Sequence, residues 1–516
     1  MDGNINIIPQ PAISEDAKAP DTQGEIRATL FDLVPAQVIK APVVFTTREW
    51  LALMGSLGLA ALYMHIFGLE NLWNRGVPGL GITVFVFALF GFALTYLGKR
   101  AKYTGANIFL LAATGLLALS CTIFGSIPLR IINCFVILSV GALTMFQLSG
   151  QAENAWSRAA VVWETIALTF SSLFCNIDKP FRAVTSVDKK RRYAGPLALG
   201  IVIAMPVLML VLSLLISADA IFAQIFTDIG RWMNEWNAGK TVWNATRAII
   251  YTIFVFSGIY SLRHHREKDE LSNSELSEEI KTEGRVVFGT LLVILNIAYA
   301  VFVAIQIAFL FGGAETAVLQ GGYAEYARSG FFQLVAVTGI NLFVVLITTT
   351  VCFKSMETKH PVLQGLCLLL IGMTCVILAS ALWRMSLYIS VFGLTLLRAL
   401  TLWGMLVIAV SLIVATVKTI RPVTKFFPVF FAFALSTWIV FNYININARI
   451  ADYNVDAYLS GKVEQIDVFY LDMPDAILAI NRLEEATGED YGMIKWVAPS
   501  PYWTQWNYSD VRYLDN

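Results

Sequence analysis

Runs of about twenty apolar residues recur along this chain, and no other feature limits its fold so severely. Eleven are present, at residues 50–69, 77–98, 105–124, 129–148, 196–217, 246–262, 286–311, 330–353, 361–383, 387–417 and 426–446. Lipid offers no partner to a backbone amide, so a segment crossing about 30 Å of hydrocarbon must satisfy its own amides, and a helix does so. The runs therefore predict an all-α fold: a polytopic transmembrane helix bundle of eleven crossings with a small, mainly helical C-terminal extramembrane tail. Composition agrees, since 57% of the 516 residues are AVILMFWYC and only 14% are charged. That balance excludes an ordinary water-soluble enzyme, and a formal net charge of zero gives no general attraction for nucleic acid.

Three regions follow. Residues 1–48 carry five prolines and scattered acids, lack the apolar core of a signal peptide, and read as a flexible cytoplasmic tail before an uncleaved first helix. Residues 49–446 form the bundle, with an interfacial segment at 151–195 and a charged cytoplasmic loop at 263–285. Residues 447–516, with 5 Lys or Arg against 12 Asp or Glu, form an acidic, aromatic-rich extracytoplasmic tail. Short loops rich in Lys and Arg stay in the cytoplasm. Placing the N-terminus inside puts 24 of these residues on the inner loops and 7 on the outer ones, which sets the orientation.

A twelfth crossing at 159–175 would reverse everything after it. Glu164 at its middle, its short length, and the basic run Lys189, Lys190, Arg191 and Arg192 that would then face outward all count against it. An amphipathic helix in the inner interface fits better, with the basic run either binding anionic lipid or only enforcing topology. In the C-terminal tail, Ile477, Leu478, Ile480 and Leu483 recur at helical spacing and Gly488 ends the pattern. The aromatic residues Trp496, Tyr502, Trp503, Trp506, Tyr508 and Tyr513 can rest on headgroups, pack on that helix, or line a sugar or peptide site.

Three phrases carry a family resemblance: YAEYARSGFFQL from Tyr323, YISVFGLTLLRAL from Tyr388, and NINARIADYNVDAY from Asn445. In that order they resemble a family of bacterial polytopic membrane proteins classed as a domain of unknown function. The resemblance covers residues 192–476 and implies a bacterial inner (plasma) membrane location. It implies no activity.

Few residues invite chemistry. An ionisable group deep in a membrane helix costs about 2.5–3.5 kcal/mol on insertion scales and is a functional candidate. Within the run 387–417, Arg398 lies near the bilayer centre, at the depth of Asn341 and close to Asn296 and Tyr299 on another helix. Together they form a candidate intramembrane polar cluster, either an interhelical hydrogen-bonding lock or a site for an anionic or polar headgroup. Asp219, Glu325, Arg328 and Arg384 form a second candidate cluster at the outer edge, for which interface ion pairs are the simpler account.

No Asp or Glu falls inside any run, which removes the usual proton relay of a coupled carrier. HExxH, GxSxG and GxxxxGK[ST] are all missing, and the first outer loop offers only Glu70 where a lipid-linked glycosyltransferase needs an acidic pair. The six cysteines lie mostly in apolar runs with no CxxC spacing, and the adjacent His264 and His265 point about 100° apart. No catalytic residue, metal site or cofactor is expected. The sequence favours a non-enzymatic envelope protein that binds partners in or beside the bilayer, protein partners being unidentified. The alternative is a transporter or lipid-handling protein working through the Arg398 cluster.

Overall fold

The computed structural model describes residues 45–68, 76–152, 158–180, 238–264, 278–311, 331–353, 360–463, 474–490 and 502–509. Among them the fold is all-helical, with no strand. The helices are α1 (Thr47–Phe67), α2 (Leu80–Leu97), α3 (Gly105–Ile123), α4 (Ile127–Ser149), α5 (Ala160–Phe174), α6 (Ala238–Ser261), α7 (Glu278–Phe311), α8 (Phe331–Cys352), α9 (Pro361–Phe392), α10 (Leu396–Ile420), α11 (Phe426–Tyr443), α12 (Ile446–Leu459) and α13 (Ile477–Thr487).

Eleven helices among the described residues are long and apolar enough to cross a membrane. Ten coincide with runs read from the sequence; the run 196–217 lies outside the described residues, as do residues 1–44. The eleventh is the segment Ala160–Pro180, which contains α5. The Gln151 amide, ahead of α5, donates to Ser261 O, while past its middle Ser257 Oγ donates to Ser172 O at 2.6 Å and accepts from Asn176 N at 3.2 Å. Gln151 ahead of α5 and Ser172 near its end thus meet α6 within about one turn of each other.

Among the described residues two apolar cores hold the bundle. One gathers Ile82, Leu110, Leu117 and Val140 of α2–α4 with Leu435 and Trp438 of α11. The other gathers Leu292, Val345, Leu370 and Ile377 of α7–α9 with Met405 and Leu412 of α10. α10 serves both, since its Ala399 belongs to the first core. The outward faces are also apolar: Phe135, Leu138 and Ile297 are all more than 60% exposed, a pattern suited to lipid rather than water.

A polar cap covers one end. Its core is Ala451 and Val455 of α12 against Ala479, Ile480 and Leu483 of α13. α12 opens on Asn445, whose left-handed backbone (φ +51°) turns the chain out of α11, and α13 closes on Gly488 at φ +72°. The segment 502–509 joins the cap: Trp506 O accepts the Leu80 amide at 2.9 Å, and Ser509 Oγ lies 3.0 Å from Ile123 O and 2.5 Å from Asp475 Oδ1. At the opposite end, Glu49 accepts from the Thr46 amide at 2.6 Å and pairs with His264 Nε2 at 3.2 Å, tying α1 to α6.

Candidate functional site

Arg398 is not at mid-membrane. The sequence places a break near Arg384 and carries one helix through 387–417, but α9 continues to Phe392 and the break falls at residues 393–395. Gly393, at φ +72°, leaves the helix by a conformation that favours glycine, and Thr395 Oγ1 then caps α10 by accepting the Arg398 amide at 3.4 Å. Arg398 therefore lies in the first turn of α10, at the cap end. Its Nη1 donates to Phe392 O at 2.8 Å and to Gly393 O, and its guanidinium lies 4.3 Å from the centroid of the Tyr388 ring. The last carbonyls of a helix lack partners and carry partial negative charge, so a cation there completes the end of α9.

Asn296 and Asn341 of the expected cluster bond instead to α9, at residues eight apart along it. Asn341 Nδ2 donates to Thr374 Oγ1 at 3.0 Å, and Tyr299 packs against the core of α7–α10. Asn296 Nδ2 donates to Leu292 O at 2.8 Å and to Leu366 O at 3.1 Å. Leu366, Leu370 and Thr374 share one face of α9 by their spacing of four, so the two amides sit along a single seam. Oδ1 of Asn296 and Oδ1 of Asn341 are buried with no hydrogen-bond partner. Asn296 Nδ2 has both hydrogens committed and Asn341 Nδ2 one of its two, so with two acceptors open the seam suits a hydrogen-bond donor better than an anion.

At the N-terminal end of α9 the seam opens into an apolar groove of about 510 Å³, lined by Gly289, Val293 and Ile294 of α7 and by His360, Val362 and Leu366 at α9. His360 Nε2 is buried there and has no hydrogen-bond partner.

Of the outer-edge cluster, Asp219, Glu325 and Arg328 lie outside the described residues, as does the basic run Lys189, Lys190, Arg191 and Arg192. Arg384, expected between two helices, is partly buried within α9.

Three polar constellations escape sequence reasoning. In the first core, Asn133 Nδ2 donates to Asn442 Oδ1 at 2.7 Å and Trp438 Nε1 donates to Asn133 Oδ1 at 2.9 Å, while Asn442 Nδ2 closes on Trp438 O at 2.9 Å. At the cap, Asn454 Nδ2 donates to Leu394 O at 2.8 Å and its Oδ1 accepts the Leu394 amide at 2.6 Å. Two of the three phrases behind the family resemblance thus meet in space, one forming the α9–α10 turn and the other clamping it. At the opposite end, Arg263 donates to Tyr96 O at 3.1 Å and lies over the Tyr96 ring. Desolvation, with Arg100 and Arg48 adding like charge, pushes the Arg263 guanidinium below its ordinary value. The Gly393–Leu–Thr395 sequence, a helix stop followed by a helix start, is a signal that could have located the turn. Nothing in the sequence links Asn133 to Asn442, 309 residues away.

No three His, Cys, Asp or Glu side chains gather into a metal site among the described residues. The fold and its polar seams define a multi-pass helical membrane protein with an extramembrane cap. Within that class the chain belongs to the family described as "Domain of unknown function (DUF4153)", which it matches over residues 111–483, from within α3 to within α13. No curated protein and no solved structure matches it.

Proposed function

We propose that this is a non-enzymatic membrane protein of the bacterial plasma membrane, with its N-terminus in the cytoplasm and its cap outside, which binds protein partners through that cap. The observation that carries the proposal is the use of Arg398. The cation that the sequence offers as a ligand-binding charge is spent on two backbone carbonyls and a tyrosine ring, and it supports the turn on which the cap is clamped. The cap is fixed to the bundle by Asn454, yet it presents Leu478, Glu485 and Glu489 to solvent. A rigid shelf with an exposed acidic edge suits recognition of a basic partner.

Charge reversal of Glu485 and Glu489 together tests this. Complementation of a null strain falls while the purified variant keeps the parental melting temperature. Full complementation by the double reversal contradicts the proposal.

One observation favours a second reading, a transporter or lipid-handling protein. The groove at His360 reaches Leu366, whose carbonyl accepts from Asn296, a residue with a buried and open amide oxygen. A substrate using that oxygen would present a hydrogen-bond donor, not the anionic group that Arg398 suggested.

A further inference from the structure

Residues 502–509 bury Thr504, Asn507 and Ser509 and expose their four aromatic side chains. Thr504, Asn507 and Ser509 are at most 4% exposed, whereas Tyr502, Trp503, Trp506 and Tyr508 range from 38% to 50%. A segment laid on a protein surface beneath water does the reverse, since aromatic burial is the larger gain.

The height of the segment is fixed by its bonds. Trp506 O accepts from Leu80, the first residue of α2, and Ser509 Oγ approaches the carbonyl of Ile123, the last residue of α3. The fit is close: a side chain at Gly79 would meet Trp506 O at 2.7 Å, and one at Gly81 would meet Thr504 O at 3.1 Å. The strap therefore lies level with the ends of two membrane spans, where headgroups begin.

Its lateral position follows from α1. Met54, Gly58, Ala61 and His65 are exposed at successive intervals of four, three and four, a single outward stripe on a spanning helix. His65 ends that stripe, and its ring stacks on Trp503 with centroids 5.7 Å apart. Trp503 continues the lipid-facing surface of α1 at headgroup level.

We infer that this strap is a membrane-interface anchor whose exposed rings, Trp503 foremost, sit among the phospholipid headgroups of the leaflet at the cap end. Trp and Tyr suit that layer because each joins an apolar ring to a group that hydrogen-bonds with water and ester oxygens. The anchor holds the cap against the bilayer whichever side of the membrane that end faces, so it does not rest on the function proposed above.

The test uses the full chain, with its six natural cysteines replaced, in phosphatidylethanolamine–phosphatidylglycerol vesicles. A nitroxide is attached at Trp503→Cys, at Tyr508→Cys, and for reference at Glu489→Cys on the cap. Power saturation is then compared for oxygen, which partitions into lipid, and a water-soluble nickel chelate. At positions 503 and 508 the oxygen-to-nickel accessibility ratio is several-fold above that at 489. A ratio equal to that at 489 overturns the inference in favour of a water-facing ligand surface, and exclusion of both reagents overturns it in favour of a protein contact. Because the label replaces the ring, tryptophan quenching by brominated lipid is also measured on the parent and on Trp503→Phe. Bromines near the headgroup quench the parent more than bromines at the chain end, and the excess shrinks in the variant. Identical profiles for parent and variant overturn the inference.

Discussion

Asn454 of α12 holds both backbone polar groups of Leu394, donating to its carbonyl at 2.8 Å and accepting its amide at 2.6 Å. One side chain thereby replaces the two hydrogen bonds that the α9–α10 turn cannot make internally. Asn454→Ala should destabilise the protein by about 1–3 kcal/mol, the range for stranding buried backbone groups. Hydrogen exchange at the Leu394 amide should accelerate. Gly393→Ala should do more harm, because its Cβ would meet Asn454 Oδ1 at 2.6 Å at a backbone φ of +72°. The double variant should lose less than the sum of the two, since removing Asn454 clears the space, and melting of the three variants measures that coupling.

Asn133, Asn442 and Trp438 form a hydrogen-bonded set between α4 and α11. Asn133→Leu should cost about 2–4 kcal/mol, because it strands the Trp438 N–H and the Asn442 oxygen together. Trp438→Phe strands only Asn133 Oδ1, so its effect should be smaller. The order of their melting temperatures in detergent checks this.

Asn341 presents the opposite case. Its oxygen already lacks a partner, and Thr374, which accepts from its amide, donates elsewhere, to Leu370 O at 2.6 Å. Asn341→Leu should therefore change stability by less than about 1 kcal/mol, well below Asn133→Leu. A normally stable Asn341→Leu protein that fails to complement would move the weight to the transport or lipid-handling reading.

Glu49 joins two devices, accepting from the Thr46 amide and hydroxyl at the start of α1 and pairing with His264 of the neighbouring α6 end. Glu49→Ala should lower stability by about 1–2 kcal/mol, mainly through the lost reach-back to the helix start. His264→Ala should cost less, because His264 is the more exposed partner. Thermal unfolding of both variants in one detergent tests that order.

How far the sequence reveals this molecule depends on the range of the interaction. Membrane-spanning runs are legible because their apolar character repeats over twenty residues and needs no partner. The C-terminal helix is legible from Ile477, Ile480 and Leu483 with Gly488 as its stop. The α9–α10 boundary misleads because Arg384 interrupts an apolar run and resembles a loop residue, whereas the helix carries it inside and breaks at Gly393. That shift of about nine residues moves Arg398 from mid-membrane to a helix start. Asn296 and Asn341 bond to Leu366 and Thr374 of α9, eight residues apart, and which of their atoms stay open depends on those partners, which one sequence does not show. The Asn133–Asn442 pair and the Asn454 clamp depend on long-range contact, and a single sequence gives no sign of either.

On the function proposed here, the Arg398 guanidinium is a structural group of the α9–α10 turn and not a ligand-binding charge. The direct measurement pairs the melting temperatures of purified Arg398→Leu and Arg398→Lys with complementation by each. Losing charge-assisted bonds to two carbonyls and the stack on Tyr388 should cost Arg398→Leu about 2 kcal/mol. Arg398→Lys should fall between it and the parent, because lysine keeps the charge without the planar fork. Complementation should follow the amount of folded protein. An Arg398→Leu protein that melts with the parent yet fails to complement would contradict the account and return the guanidinium to a ligand.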